Sequence, residues 1–160
     1  MGRFRAAPVS TAVVLCTACA GGAAEPLACT EIGAEPGVSI TISETMTAAM
    51  EDPVLEVCAA ECRTYPVDLF PGTEAVDLGC DSTEPEGSCS ASMRPDGTLV
   101  GFVRVDELTA GEVGVTLISG DQHYRSTGTP QLVYPNGRNC PGEALQLSVT
   151  LDDGRLAIRS

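Results

Sequence analysis

Six cysteines in the body of the chain, one histidine and one loop of carboxylates are the residues that could do chemistry. The cysteines are Cys29, Cys58, Cys62, Cys80, Cys89 and Cys140, and two more, Cys16 and Cys19, stand near the N-terminus. Cys58-Ala59-Ala60-Glu61-Cys62 suits a tight hairpin disulfide, one half of a zinc site, or a thiol–disulfide redox couple. Zinc would need two further ligands, and His123 is the only histidine among the 160 residues. No Cys-x-x-Cys opens a helix, so the redox role is second to a structural one. An even number of cysteines in an exported chain reads as three disulfides. Six cysteines allow about 15 pairings. Local spacing favours Cys58–Cys62, and Cys80–Cys89 around the polar loop 81–88, which leaves Cys29 for Cys140. Chain entropy assigns about 2 kcal/mol to the shortest loop and about 5 kcal/mol to the longest.

His123 stands between Gln122 and Tyr124, after a Gly120-Asp121 turn. As a general base it would need a nucleophile and an orienting acid beside it. The chain has no Gly-x-Ser-x-Gly elbow and no lysine, so His123 is expected to be a surface strand residue. A secreted hydrolase using His123 is the alternative. Asp81, Glu84 and Glu86 could offer oxygens to Ca²⁺, which takes roughly 6–8 of them, but not at EF-hand spacing. A solvated acidic loop is expected there, with no metal and no cofactor, and a Ca²⁺-dependent adhesion module as the other alternative. Glu51-Asp52 and Asp106-Glu107 read as solvated turns. Tyr65, Tyr124 and Tyr134 would make a ligand platform only if the fold brought them together.

These groups are carried by a chain with 22 acidic residues and nine basic ones, a net charge of -13. That balance excludes nucleic acid and disfavours anionic headgroups, because both need a basic face. The elements that must position the groups read as β. Val38, Ile40 and Ile42 alternate with polar residues, as do Val113, Val115 and Leu117, and Leu145 through Leu151. Shorter runs lie at 54–57, 67–70 and 76–78, and Leu99 through Val105 is nearly continuous. Period-two runs are half-buried strands. Pro95-Asp96-Gly97, Ser119-Gly120-Asp121, Pro135-Asn136-Gly137 and Asp152-Asp153-Gly154 are turn signals. The expectation is an all-β, two-sheet antiparallel sandwich of 7–8 strands stapled by disulfides. Only residues 45–52 could form a helical turn, with Met46 and Met50 on one face and Pro53 ending it.

Residues 1–18 read as a signal peptide, with Arg3 and Arg5 followed by a short apolar stretch and small residues. Residues 19–28 read as a flexible tether and 29–160 as one domain. Leu15-Cys16-Thr17-Ala18-Cys19 looks like a lipoprotein signal, with Cys19 the lipidated first residue. Cys16 stands where such signals have leucine. Cleavage after Ala20 and free secretion is the alternative. Removal of residues 1–18 takes two arginines and no acid, so seven arginines face 22 acids and the net charge becomes -15. The expected membrane association is through the lipid alone, with a protein or glycan of the cell surface as partner.

The lipobox-like Cys19, Cys29-Thr30-Glu31-Ile32-Gly33, Pro95-Asp96-Gly97-Thr98-Leu99-Val100-Gly101 and Tyr134-Pro135-Asn136-Gly137-Arg138-Asn139-Cys140 carry a resemblance. The chain resembles an uncharacterised family of small exported or lipid-anchored actinobacterial proteins with an Ig-like or transthyretin-like sandwich. The likeness covers most of the mature chain. Its motifs are turns and cysteines, so it implies compartment and fold and no activity. Two features depart from the immunoglobulin pattern: the Cys58–Cys62 hairpin and the lack of tryptophan. The expected role is a non-enzymatic binding module whose loops make the contact.

Overall fold

Alternation in strand β1 (Gly37–Ile42) buries Val38, Ile40 and Ile42 on one face and turns Ser39 and Thr41 outward. The computed structural model describes residues 29–82 and 87–159, and β1 lies at the centre of the larger of its two sheets. Its neighbours there are β5 (Cys89–Arg104), antiparallel, and β9 (Ala144–Asp152), parallel. Beyond β5 lies β4 (Phe70–Cys80), and beyond β9 lie β8 (Gln131–Val133) and β10 (Arg155–Arg159). The smaller sheet has the order β3 (Cys62–Pro66), β2 (Val54–Cys58), β6 (Val113–Ser119), β7 (Gln122–Gly128). The inner faces meet in one core. Val38, Ile40 and Ile42 join Leu147, Val149 and Leu151 of β9, and Leu55, Val113, Val115 and Leu117 of the other sheet.

The all-β, two-sheet reading holds, with two corrections. The pairing is not wholly antiparallel, because β1 runs parallel to β9. A parallel pair needs a crossover connection, and the whole intervening chain supplies it. The described strands number ten rather than 7–8. Cys62-Arg63-Thr64-Tyr65-Pro66 lacks an apolar alternation yet pairs along β2, because an edge strand buries only part of one face. β8 has three residues and β10 only two inward apolar ones, Leu156 and Ile158. Conversely, Val67, Asp68 and Leu69 lie between strands.

Pro95-Asp96-Gly97 is no turn between strands. It is an irregularity inside β5, opposite Gly72, where the register shifts between Pro71 and Thr73. Asp96 accepts hydrogen bonds from the Thr98 amide at 3.0 Å and the Thr98 hydroxyl at 2.7 Å. Gly97 takes φ +83°, which suits glycine. A Cβ on Gly72 would lie 2.0 Å from Thr98 Oγ1. β1 pairs with β5 only from Leu99 to Arg104, so Pro95 faces no strand on that side. Residues 89–95 pair with β4 alone, from Thr73 to Cys80, and form a two-stranded arm projecting past the end of β1. Its residues are almost all exposed, Leu78 and Met93 included.

Three disulfides close the chain: Cys29–Cys140, Cys58–Cys62 and Cys80–Cys89. The first joins the segments that lead into the parallel strands β1 and β9. Around it, the Ala34 amide donates to the Gly142 carbonyl at 2.9 Å, and the Asn136 side chain donates to the Ile32 and Pro141 carbonyls. The third closes the tip of the arm. At the arm's end of the sandwich, a 3-10 turn, Glu44–Ala49, sets Met46 and Met50 against the core. The buried Ser119 hydroxyl ties this region to β6 by accepting from the Glu51 amide at 2.8 Å and donating to the Ala49 carbonyl at 2.9 Å. Among the described residues no helix is long and apolar enough to cross a membrane. The bridges suit an oxidising compartment.

Candidate functional site

In strand β3, Arg63 and Tyr65 lie opposite Val57 and Leu55, so they share the inward face of the smaller sheet. β3 is that sheet's edge, and the core does not extend far enough to cover both side chains. Across from them, β5 ends at Arg104 and the chain continues through Val105 to Leu108. The Val105 amide donates to the Pro36 carbonyl at 3.0 Å, and the Leu108 amide to the Val105 carbonyl at 3.3 Å, which holds this segment as a turn against the core. Between the two walls lies a cavity of about 230 Å³. Val57, Val105 and Leu108, all buried, form its floor. Ala59 and Ala60 form one wall, and Glu61, Arg63, Tyr65, Glu107 and Thr109 complete the lining.

Glu107 bridges the gap. Its Oε1 pairs with the Arg63 guanidinium, and its Oε2 accepts from the Tyr65 hydroxyl at 3.2 Å. Burial raises the Tyr65 phenol above its ordinary range, and the hydrogen bond to Glu107 and its negative charge push the same way. Arg63 opposes them. Beside this latch, Arg104 reaches Asp106 at 2.8 Å and Glu35 at 3.3 Å. Asp106 raises the Arg104 guanidinium further, first by hydrogen bond and then by charge. The ion pairs are half exposed and contribute little to stability. Of these pairs only Arg63–Glu107 joins the two walls of the cavity. Glu61 has no ion-pair partner among the described residues.

The other residues singled out in the sequence do not gather here. His123 is exposed on β7 opposite Ile118, and no hydrogen bond joins it to a serine, cysteine or carboxylate among the described residues. Asp81 stands at the arm's tip, where its carboxylate accepts from the Ser88 amide at 2.8 Å. Glu84 and Glu86 lie outside the described residues, as do Cys19, the signal 1–18 and the tether 19–28. Among the described residues no group of three or more His, Cys, Asp or Glu side chains could hold a metal ion. The tyrosines are dispersed. Tyr65 is at the cavity, Tyr124 packs on the core from β7, and Tyr134 lies under Arg138, 4.9 Å from ring centroid to guanidinium.

Sequence reasoning picks out Tyr65, the Asp106-Glu107 pair and the Cys58–Cys62 hairpin singly. It misses Arg63, Val105 and Leu108, and it misses that all of these converge. The available signal is Arg63 and Tyr65 at i, i+2, which share one face once β3 is known to be a strand. No family model, curated protein or solved structure matches this chain.

Proposed function

We propose that this chain is an exported, non-enzymatic binding module, held at the outer face of the cytoplasmic membrane through a lipid on Cys19. Its contact is the cavity at the β2–β3 hairpin, which receives one apolar side chain of a partner protein at the cell surface. The observation that carries this reading is the cavity itself, an apolar floor under a charged rim. Its volume of about 230 Å³ falls below the roughly 300–1,000 Å³ of small-molecule sites. It suits a single anchoring side chain, the usual centre of a protein–protein hot spot. The rim carries Glu61, outside any ion pair among the described residues, on a chain of net charge -13, and both favour a basic surface around that anchor. The three disulfides, the N-terminal signal and the resemblance to exported actinobacterial proteins support the compartment.

Two experiments test this. Intact mass of the protein from native membrane and culture fractions, after alkylation of free thiols, distinguishes the routes of export. A membrane species beginning at acylated Cys19 supports the anchor, and a soluble species beginning at Gly21 replaces it with free secretion. Photo-cross-linking from Thr109 in the native host tests the cavity. A discrete adduct that disappears when Ala60→Trp fills the cavity is expected. Adducts unchanged by that substitution would refute the cavity as the contact.

A further inference from the structure

The wall formed by Ala59, Ala60 and Glu61 consists of the three residues enclosed by the Cys58–Cys62 bridge. Those residues are exposed, and one backbone hydrogen bond, from the Ala59 amide to the Glu61 carbonyl at 3.3 Å, crosses the loop. The last rung of the β2–β3 ladder is the Cys58–Cys62 pair itself, and the rung before it is Val57–Arg63. The bridge therefore holds both the wall and the approach of Arg63 to Glu107. It encloses so short a loop that chain entropy gives it the smallest share of stability of the three. Cys62 is exposed, as are Cys29, Cys80 and Cys89, but of the three bridges only Cys58–Cys62 closes a loop that lines the cavity. A bridge that an incoming thiol can reach, that shapes a cavity and that contributes little to folding is suited to exchange.

We propose that Cys58–Cys62 is a thiol–disulfide exchange site that opens and closes the cavity, acted on by a dithiol reductant of the oxidising compartment. This rests on the cavity reading above. A reductant thiolate attacks Cys62 Sγ, the Cys58–Cys62 bond breaks, and Cys58 leaves as a thiolate that takes a proton from water. The second reductant thiolate attacks the mixed disulfide, and Cys62 leaves and is protonated in turn. Two electrons pass to the protein, and the reductant departs as its own disulfide. The 59–61 loop then loses its covalent tie and keeps only the Ala59–Glu61 hydrogen bond and the terminal rung of the ladder. Local opening of this kind leaves the rest of the sandwich folded, because both sheets and the Cys29–Cys140 bridge stay intact.

The test treats the oxidised full chain with dithiothreitol under graded redox buffers, alkylates the thiols and maps them by peptide mass. Hydrogen exchange over 57–63 and 107–109, and binding of benzene, a neutral apolar molecule the size of one aromatic side chain, report on the cavity. The expected result is alkylation at Cys58 and Cys62 while Cys29–Cys140 stays bridged, with faster exchange in both segments. Benzene affinity falls by about tenfold, the loss expected when two alanine methyl contacts are withdrawn. The Cys80→Ser/Cys89→Ser variant behaves like the parent, since that bridge is at the arm's tip. Cys58→Ser/Cys62→Ser has the reduced phenotype without any reductant. Reduction of Cys29–Cys140 before Cys58–Cys62, or unchanged exchange over 57–63 once the short bridge is open, overturns the proposal. An oxidised chain that binds no benzene counts against the cavity reading instead, and the exchange and alkylation results still decide the switch.

Discussion

Replacing Cys29 and Cys140 together by alanine removes the tie at the start of the two parallel strands β1 and β9. Alanine is the better choice than serine because Cys140 is buried, at 7 % exposure, and a serine would place an unpartnered hydroxyl there. The cysteines are 111 residues apart, which in the chain-entropy model gives about 16 cal/mol/K, or about 5 kcal/mol at 25 °C. The same treatment gives about 2 kcal/mol for Cys58–Cys62, separated by four residues. For Cys80–Cys89, separated by nine, it gives about 2.6 kcal/mol. Against a typical domain stability of about 5–15 kcal/mol, the long bridge is the one whose loss threatens folding. Urea unfolding of the three double-alanine variants checks this, provided m is compared with the parent. The slope should rise most without Cys29–Cys140, because the unfolded chain then expands most. A loss there no larger than that of the Cys58–Cys62 variant would refute the reasoning. It would mean that the unfolded chain without the bridge retains structure that already keeps its two ends close.

Three other substitutions probe the frame. Ser119→Ala leaves the Glu51 amide without its acceptor and should cost about 1–3 kcal/mol by chemical denaturation, with m unchanged. Gly72→Ala forces a Cβ against Thr98 and should cost about 1–3 kcal/mol, part of it recovered when Thr98→Ala is added. Tyr65→Phe should alter the alkaline limb of the stability profile. The folded phenol titrates above the ordinary 10.0, so its contribution is complete below pH 10 and fades as pH rises through the folded value. Thermal melts from pH 8 to 12 should show a shallower alkaline decline for Tyr65→Phe than for the parent.

What was legible in the sequence follows from which interactions are local. Val38-Ile40-Ile42 and Leu147-Val149-Leu151 announce themselves because alternation is a property of consecutive residues, and both strands have a fully buried face. Cys62-Arg63-Thr64-Tyr65-Pro66 does not, because its strand character comes from pairing with β2 and its burial from a neighbour sheet that covers one side only. Pro95-Asp96-Gly97 carries turn chemistry, and Asp96 and Gly97 use it. Whether such a motif reverses the chain or merely bends it depends on β4, which continues to pair beyond it. The parallel register of β1 and β9 depends on segments more than a hundred residues apart. The cavity was invisible for the same reason: Val57 and Arg63 lie on paired strands of the smaller sheet and Val105 and Leu108 in the turn after β5, and no local pattern links them.

The topology also gives the two ends of the sandwich different characters. Gly37 of β1 pairs with Arg104 of β5 and Gln146 of β9, and the Val105 amide bonds the Pro36 carbonyl. The cavity floor, the Cys58–Cys62 hairpin and the Cys29–Cys140 bridge therefore lie at the end where the chain enters β1. The arm leaves from the other end, beyond Ile42 and Leu99. On the proposed lipid anchor, a tether of residues 19–28, at about 3.3–3.6 Å each, reaches at most about 35 Å. It joins the domain at Cys29, so an anchored molecule would carry the cavity on its membrane-near side and extend the arm away. An anchored chain without residues 1–18, of net charge -15 (seven arginines against 22 acids), is repelled by anionic headgroups, which keeps the cavity from lying flat against them and leaves room for a partner. A basic partner held at the same membrane would be attracted by both surfaces at once, and the short tether would raise its effective concentration at the cavity.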